Sequence, residues 1–499
     1  MATKGKVLTL TEVNPMVRCI PTSKTDILVR RAGEITRELE QGAVKPFPDV
    51  IIVSSGDSHG AGMQPITFVR QVMAACLYPE LLHSDRLPSD VRQRAQRLLG
   101  ECEGSSVGMC LCWSYSCPLG LDAVRRSVAE SLQRRDGGVI SDSDNIFIQS
   151  GSHVALMRVL KVLLHGEGVS QTGVLVPVPC HPRFTQAVWA LGGVPLPFQL
   201  SEERGWVLER EELQRALRDA RGRCSPRALY FVNPGNPTGH VQSRESIEEV
   251  IRLAAEESLF LLVDEVYQQT VFGVDREFVS YKKVLCEMGP PYSSTVQLAS
   301  VHSVSKGFMG ESGLRCGYVE FMNLDPQVKK HISSIVAKEG CAPIIGQIAL
   351  DIMAAPPQPG DASYTTFRAV RSPCTQPPGQ ERQASLDTLA HNVRRVQETA
   401  DGLPGVSYQP PQGGITIFLR LHLSHRAVEQ AKALGLEPDL FYCMRLLEEE
   451  GVCAGPGCDL GQREGTYHLR LCILMPTDSL EEMLRRLKSF HHRFMQDFC

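Results

Sequence analysis

From about Val139 onward, short runs rich in β-branched residues alternate with helical patterns. The runs are "NIFIQS", "GVLVPVP", "RALYFVNP", "LFLLVDEVY" and "VQLASVHS". That alternation specifies βαβ units on a mostly parallel sheet. The stretch after Gly151 carries Leu156, Leu160, Leu163 and Leu164 at i, i+4, i+7 and i+8, while Arg158, Lys161 and His165 fall elsewhere. It is expected to be an amphipathic helix covering the sheet.

A break follows at "AAPPQPGDASYTTFRAVRSPCTQPPGQER", where six prolines and two glycines cluster near the ends and oppose regular structure over much of the length. It is expected to be a surface connection. Beyond it the pattern turns helical again in "LDTLAHNVRRVQETA" and "SLEEMLRRLKSFHHRFMQDF", the expected second unit. A chain of 499 residues, 42% hydrophobic and 22% charged, is large enough for two or more domains.

With 52 Lys and Arg against 56 Asp and Glu, the net charge of −4 offers no excess of positive charge to neutralise nucleic acid or an anionic membrane. A small-molecule partner is expected instead. Seventeen cysteines spread along the chain suggest reduced thiols without structural disulfides. The start, "MATKGKVLTLTEVNP", lacks the apolar core of a signal peptide, and runs such as "LFLLV" fall far short of the roughly 20 residues of a membrane span. A cytoplasmic location is expected.

Three stretches carry chemistry. "NPGNPTGH", Asn233 to His240, forces a tight turn after a strand, where open α/β sheets bind ligands, although a plain turn reads the same way. "LFLLVDEVYQ" ends an apolar strand in Asp264, Glu265 and Tyr267, with Asp264 either a helix cap or an acid aimed into a crevice. "SVHSVSKGFMGESGLRCGY" sets Ser303, Ser305 and Lys306 together, with Arg315 nine residues after the lysine. Two hydroxyls and a guanidinium suit a phosphate, and the lysine could bond a carbonyl; a solvated lysine is the bland alternative.

The ordered set Asn236, Asp264, Tyr267, Lys306, Arg315 and, in "TYHLRLCIL", Arg470 resembles the class I aminotransferases of fold-type I, which hold pyridoxal 5'-phosphate (PLP). "ITFVRQV", "RRDGG", "EMGPPY", "SKGFMGE" and "GQREGTYH" resemble the branch of that family acting on alanine, over nearly the whole chain. The resemblance implies an α/β fold with a mostly parallel seven-stranded sheet. Residues 88–372 would form a large PLP-binding domain, 373–499 a smaller α+β domain, and 1–87 an N-terminal arm and part of the small domain. It further implies a homodimer that moves the amino group of L-alanine to 2-oxoglutarate, with ping-pong kinetics. Asp264 would hold the ring nitrogen protonated, and Asn236 and Tyr267 would serve the phenolic oxygen. Lys306 would bond the cofactor and carry the proton. Ser152, His153, Ser303, Ser305 and Arg315 would cradle the phosphate with backbone amides of a helix start. His181 would stack on the ring, Tyr115 would reach the phosphate from the partner subunit, and Arg470 and Gly56 would receive the substrate.

The chain departs from the family at several of these places. The phosphate turn Gly-Ala-Ser-Asp is Gly151, Ser152, His153 and Val154 here, which displaces the hydroxyl and admits an imidazole. Cys316 replaces a glycine. "MCLCW" from Met109, with Cys110 and Cys112, is an insertion of about five residues, and its thiols lack both zinc-knuckle spacing and a nearby histidine, so no metal is expected. The stretch from Ser372 to Gly379 is a further loop insertion. Two alternatives stay open at this point. One is a PLP aminotransferase with another amino donor, the other an impaired relative serving as a binding or dimer partner.

Overall fold

The computed structural model describes residues 9–18, 20–103, 117–369 and 381–498. Its strands, in chain order, are β1 (Ile51–Ile52), β2 (Ile146–Gln149), β3 (Thr172–Val178), β4 (Val194–Ser201), β5 (Val207–Leu208), β6 (Ser225–Val232) and β7 (Phe260–Asp264). They continue with β8 (Leu298–Ser303), β9 (Gly317–Met322), β10 (Val406–Tyr408), β11 (Thr416–Leu421), β12 (Val452–Cys453), β13 (Gly455–Pro456) and β14 (His468–Cys472). Each run read from the sequence as a strand lies within or overlaps β2, β3, β6, β7 or β8.

The large sheet runs in the order β2-β9-β8-β7-β6-β3-β4-β5. It has eight strands rather than the expected seven, because the two-residue β5 pairs antiparallel with the end of β4. The pairs β4–β3, β3–β6, β6–β7 and β7–β8 are parallel, while β9 runs antiparallel between β8 and β2. From β3 the chain first moves outward to β4, then returns past β3 to β6. The strand order therefore reverses around β3, and a crevice opens beyond the carboxyl ends of β3 and β6.

Alternation along the strands supplies both faces of this sheet. Leu229, Phe231, Leu261 and Val263 enter one apolar core, and Ala228, Tyr230, Phe260 and Leu262 enter the other. Every residue of β3 is buried. The second face is covered by a helix at Ser152–Leu163, here α1, through Leu156, Val159 and Leu160. Leu163 and Leu164 are only partly buried beside them. Arg158 is buried as well, held by Gln149, Glu339 and the Gly340 carbonyl.

A separate core joins the two ends of the chain. Leu28, Ala32 and Ile35 pack with Leu446, Leu447, Leu487 and Phe490 beside the sheet β10-β11-β14-β13. Burying each of the leucine, isoleucine and phenylalanine side chains contributes about 1.5–3 kcal/mol. The N-terminal segment is stitched in by β1, which pairs parallel with β12. Gly451 makes the turn into β12 at φ +67, where a Cβ would lie 2.6 Å from the Phe47 ring and 2.7 Å from the Asp49 carbonyl. The proline-bounded connection holds a short helix, Tyr364–Ala369, between its two proline clusters. The Ser372–Gly379 insertion lies outside the described residues.

Candidate active site

The carboxyl ends of the parallel strands bring the sequence-selected residues to the crevice. Asp264 closes β7, Asn233–His240 follow β6, and Ser303, Ser305 and Lys306 end and follow β8. His181 follows β3 and caps the helix Pro182–Ala190, here α2. Arg315 precedes β9, whose antiparallel course brings its start to the same edge. Tyr115 and the Met109–Trp113 insertion lie outside the described residues.

Asp264 is held by its own turn and by the neighbouring strand. The Val266 amide donates to its Oδ1 at 3.3 Å and the Tyr230 hydroxyl to its Oδ2 at 3.5 Å. Burial dominates these bonds and pushes its pKa up to about 7. Beside it, Asn236 Nδ2 donates to the Tyr267 hydroxyl at 3.3 Å, and Asn236 Oδ1 is buried without a partner. Burial and the Asp264 charge raise the Tyr267 pKa, so the phenol stays protonated.

Lys306 crosses to the N-terminal segment, and its Nζ donates to the Gly56 carbonyl at 2.7 Å. A Cβ at residue 56 would lie 2.7 Å from that nitrogen and 2.8 Å from Ile415 Cδ1, so the absent side chain is the space the amine uses. Burial lowers the Lys306 pKa, with Arg470 and Arg183 adding to the effect. Arg470, opposite Phe418 on β11, is 6% exposed and donates to the Ser54 carbonyl at 2.7 Å. Burial lowers its pKa too. With one guanidinium nitrogen on Ser54, the rest of the fork can take a carboxylate.

At the start of α1, Gly151 has φ +101 and would bring a Cβ within 2.8 Å of Arg315 Nη2. Arg315 donates to the Ser312 carbonyl at 2.7 Å and the Ser150 carbonyl at 3.4 Å, which fastens the guanidinium beside the free amides of the helix start. Ser303 is buried and Ser305 half-buried. Ser152 and His153 occupy the first turn, and burial followed by the Arg183 and Arg315 charges lowers the His153 pKa. Cys316 packs instead into the apolar core against Gly346, so its bulk is taken up there. His181 accepts the Arg183 amide on Nδ1 at 3.3 Å, and burial first, then Arg470, hold its pKa well below the ordinary value.

Three residues at the site were not selected from the sequence. Phe184 stacks on Tyr230 with ring centroids 3.5 Å apart and planes at 8°. Tyr230 in turn reaches Asp264. Arg183 sits between the capping His181 and the stacked Phe184. "PCHPRF" and "ALYFV" held all three, but only the packing of α2 on β6 reveals the contact.

A buried polar layer lies behind Asp264. Glu265 accepts from the Tyr281 amide at 3.0 Å and the Ser300 hydroxyl at 2.6 Å, and Arg135 approaches it at 3.8 Å. Arg135 also pairs with Asp136, and Lys282 with Glu320. Removing one partner of such a pair typically costs about 3–5 kcal/mol, so this layer holds the end of β7 firmly. Among the described residues no group of His, Cys, Asp and Glu could hold a metal ion, and no helix is long and apolar enough to cross a membrane.

Comparison with known proteins points the same way. Residues 84–487 match the family described as aminotransferase class I and II. Alanine aminotransferase 2 of Xenopus laevis is 45% identical over 99% of this chain and 89% of its own. Alanine aminotransferase 1 of Homo sapiens is 46% identical over 99% of this chain and 97% of its own. The solved structure of an alanine aminotransferase from Pyrococcus furiosus superposes with a TM-score of 0.72 at 20% identity, covering 96% of this chain and all of the other, and shares the fold.

Proposed function

The chain belongs to the class I and II aminotransferases, and from that premise we propose that it transfers the amino group of L-alanine to 2-oxoglutarate with PLP as cofactor. The observation that carries the reading is the convergence of Asp264, the Asn236–Tyr267 pair and the Lys306 amine at one crevice. The site fits PLP on its own chemistry. Turning the Asn236 amide over would let Tyr267 donate to Oδ1 and would present Nδ2, a donor for a phenolic oxygen, in place of the unpartnered acceptor. The missing Cβ of Gly56 leaves the lysine amine its space.

When bound, PLP supplies an electron sink for charge developing at the substrate α-carbon and stores the amino group between half-reactions. The rest falls to the chain. Asp264, whose ionised form burial disfavours, gains a cationic partner in a protonated ring nitrogen and keeps the proton there. Tyr267 and Asn236 supply hydrogen bonds to the phenolic oxygen. Ser303, Ser305, Arg315, Ser152, His153 and the amides of the first turn of α1 would hold the phosphate. His181 would offer its imidazole face to the ring.

Lys306 serves as the covalent anchor and then, as a free amine, as the base and acid that moves the proton at the α-carbon. Its lowered pKa raises the share of the neutral amine that this task requires. Arg470 binds the α-carboxylate, and Gly56 leaves room for it to approach. We place the enzyme in the cytoplasm as a homodimer in which the partner's copy of Tyr115 completes the phosphate cup. The buried thiols Cys180, Cys316 and Cys472 suit a reducing compartment.

The alanine reading is tested by a steady-state screen of amino donors against 2-oxoglutarate. L-alanine is expected to lead in kcat/KM. A clear preference for an aspartate, glutamine or aromatic donor would replace it. The intact donor set weighs against an impaired relative, and the visible absorption band of covalently held PLP, lost in Lys306→Ala, decides that point.

A further inference from the structure

If the site transaminates as proposed, substrates of unequal charge must share it. Alanine carries one carboxylate, 2-oxoglutarate and glutamate carry two, and Arg470 can grip only the one next to the reacting carbon. The distal carboxylate needs a second cation. Arg315 is fastened to the Ser312 and Ser150 carbonyls. His153 and His181 are disfavoured as cations by burial and by neighbouring arginines. Lys306 is committed to the reacting centre.

Arg183 is placed differently. Its side chain is exposed and makes no hydrogen bond or ion pair among the described residues, while its backbone is tied down on both sides. His181 accepts its amide at 3.3 Å, and Phe184 is stacked at 3.5 Å on Tyr230, which reaches Asp264. The root of the side chain is thus anchored beside His181, and the exposed guanidinium is left unspent. Its charge is among those that lower the pKa values of His153, His181, Lys306 and Arg470.

We propose that Arg183 is a specificity residue for dicarboxylic substrates, its guanidinium taking the distal carboxylate of 2-oxoglutarate and glutamate. A planar fork suits a carboxylate, and holding it at a hydrated entrance lets alanine and pyruvate bind without leaving a buried charge unpaired.

The test compares two unreactive acids, glutarate and butyrate, titrated calorimetrically into PLP-loaded wild type, Arg183→Leu and Arg183→Lys. Wild type is expected to bind glutarate about tenfold more tightly than butyrate, a ratio typical of one charge-assisted pair. Arg183→Leu should bring the ratio near one with butyrate affinity kept within about twofold, and Arg183→Lys should restore part of it. The proposal is overturned if wild type shows no preference, if Arg183→Leu keeps it, or if both acids weaken equally. Failure of the transaminase reading would appear separately, as no pyruvate from alanine with wild type, whatever the glutarate ratio.

Discussion

Replacing Asp264 with asparagine should stabilise the PLP-free protein at neutral pH while disabling the enzyme. A carboxyl in an unfolded chain ionises near 3.8, but burial in the crevice delays this to about 7. A carboxyl whose folded pKa is raised favours folding most below its unfolded value, and that contribution is lost as pH rises through the folded one. The difference corresponds to about 4 kcal/mol lost between about pH 4 and pH 8. Asparagine does not titrate and can still accept from the Val266 amide. In denaturant unfolding of PLP-free protein, the stability of Asp264→Asn relative to wild type should therefore climb by up to about 4 kcal/mol over that range. Taking the difference between the two proteins removes the contributions of other buried groups, including His302 and His240, whose pKa values fall to about 3 and about 4. With PLP present, the cationic ring nitrogen should stabilise the wild-type carboxylate and shrink the gap. Turnover of the variant should drop roughly 10²–10⁴-fold, as for other groups that hold charge in a transition state. A relative stability that does not change with pH would mean that burial does not strain the carboxyl.

Gly56→Ala places a methyl 2.7 Å from Lys306 Nζ and should lower kcat by about 100-fold through displacement of the amine. The overpacking against Ile415 should cost only about 1–3 kcal/mol, seen in the unfolding midpoint. Arg470→Lys loses the two-pronged grip and should raise KM for alanine and 2-oxoglutarate by about tenfold or more. Tyr230→Phe removes a hydrogen bond that holds the Asp264 pKa down, so the acidic limb of the pH–rate profile should move to higher pH.

Much of this architecture was legible because the signals were local. Apolar runs marked β3, β6, β7 and β8, and the turn chemistry of "NPGNPTGH" marked the crevice. The residues proposed to meet the cofactor lie at or just beyond strand ends, so a strand recognised in the sequence points to Asp264, Asn236 and Lys306. The rest depends on contacts between distant segments. Nothing in "GYVEFM" announces that β9 runs antiparallel, and β5 is too short to show a period. Gly56 matters for a crossing that spans 250 residues to Lys306. The Phe184–Tyr230 stack joins a helix start to a strand, and so left no trace in local pattern. Arg158 looked like an ordinary polar residue of an amphipathic helix, but Glu339 and the Gly340 carbonyl, far along the chain, bury it. The Lys282–Glu320 pair is hidden from sequence for the same reason.

The decisive measurement of the proposed reaction is the pyruvate formed from L-alanine and 2-oxoglutarate by the purified, PLP-supplemented protein, with Lys306→Ala beside it. Wild type should turn over with parallel double-reciprocal lines as the second substrate is varied, and Lys306→Ala should lose at least about 10³-fold. No pyruvate from wild type, or undiminished turnover by Lys306→Ala, would contradict it.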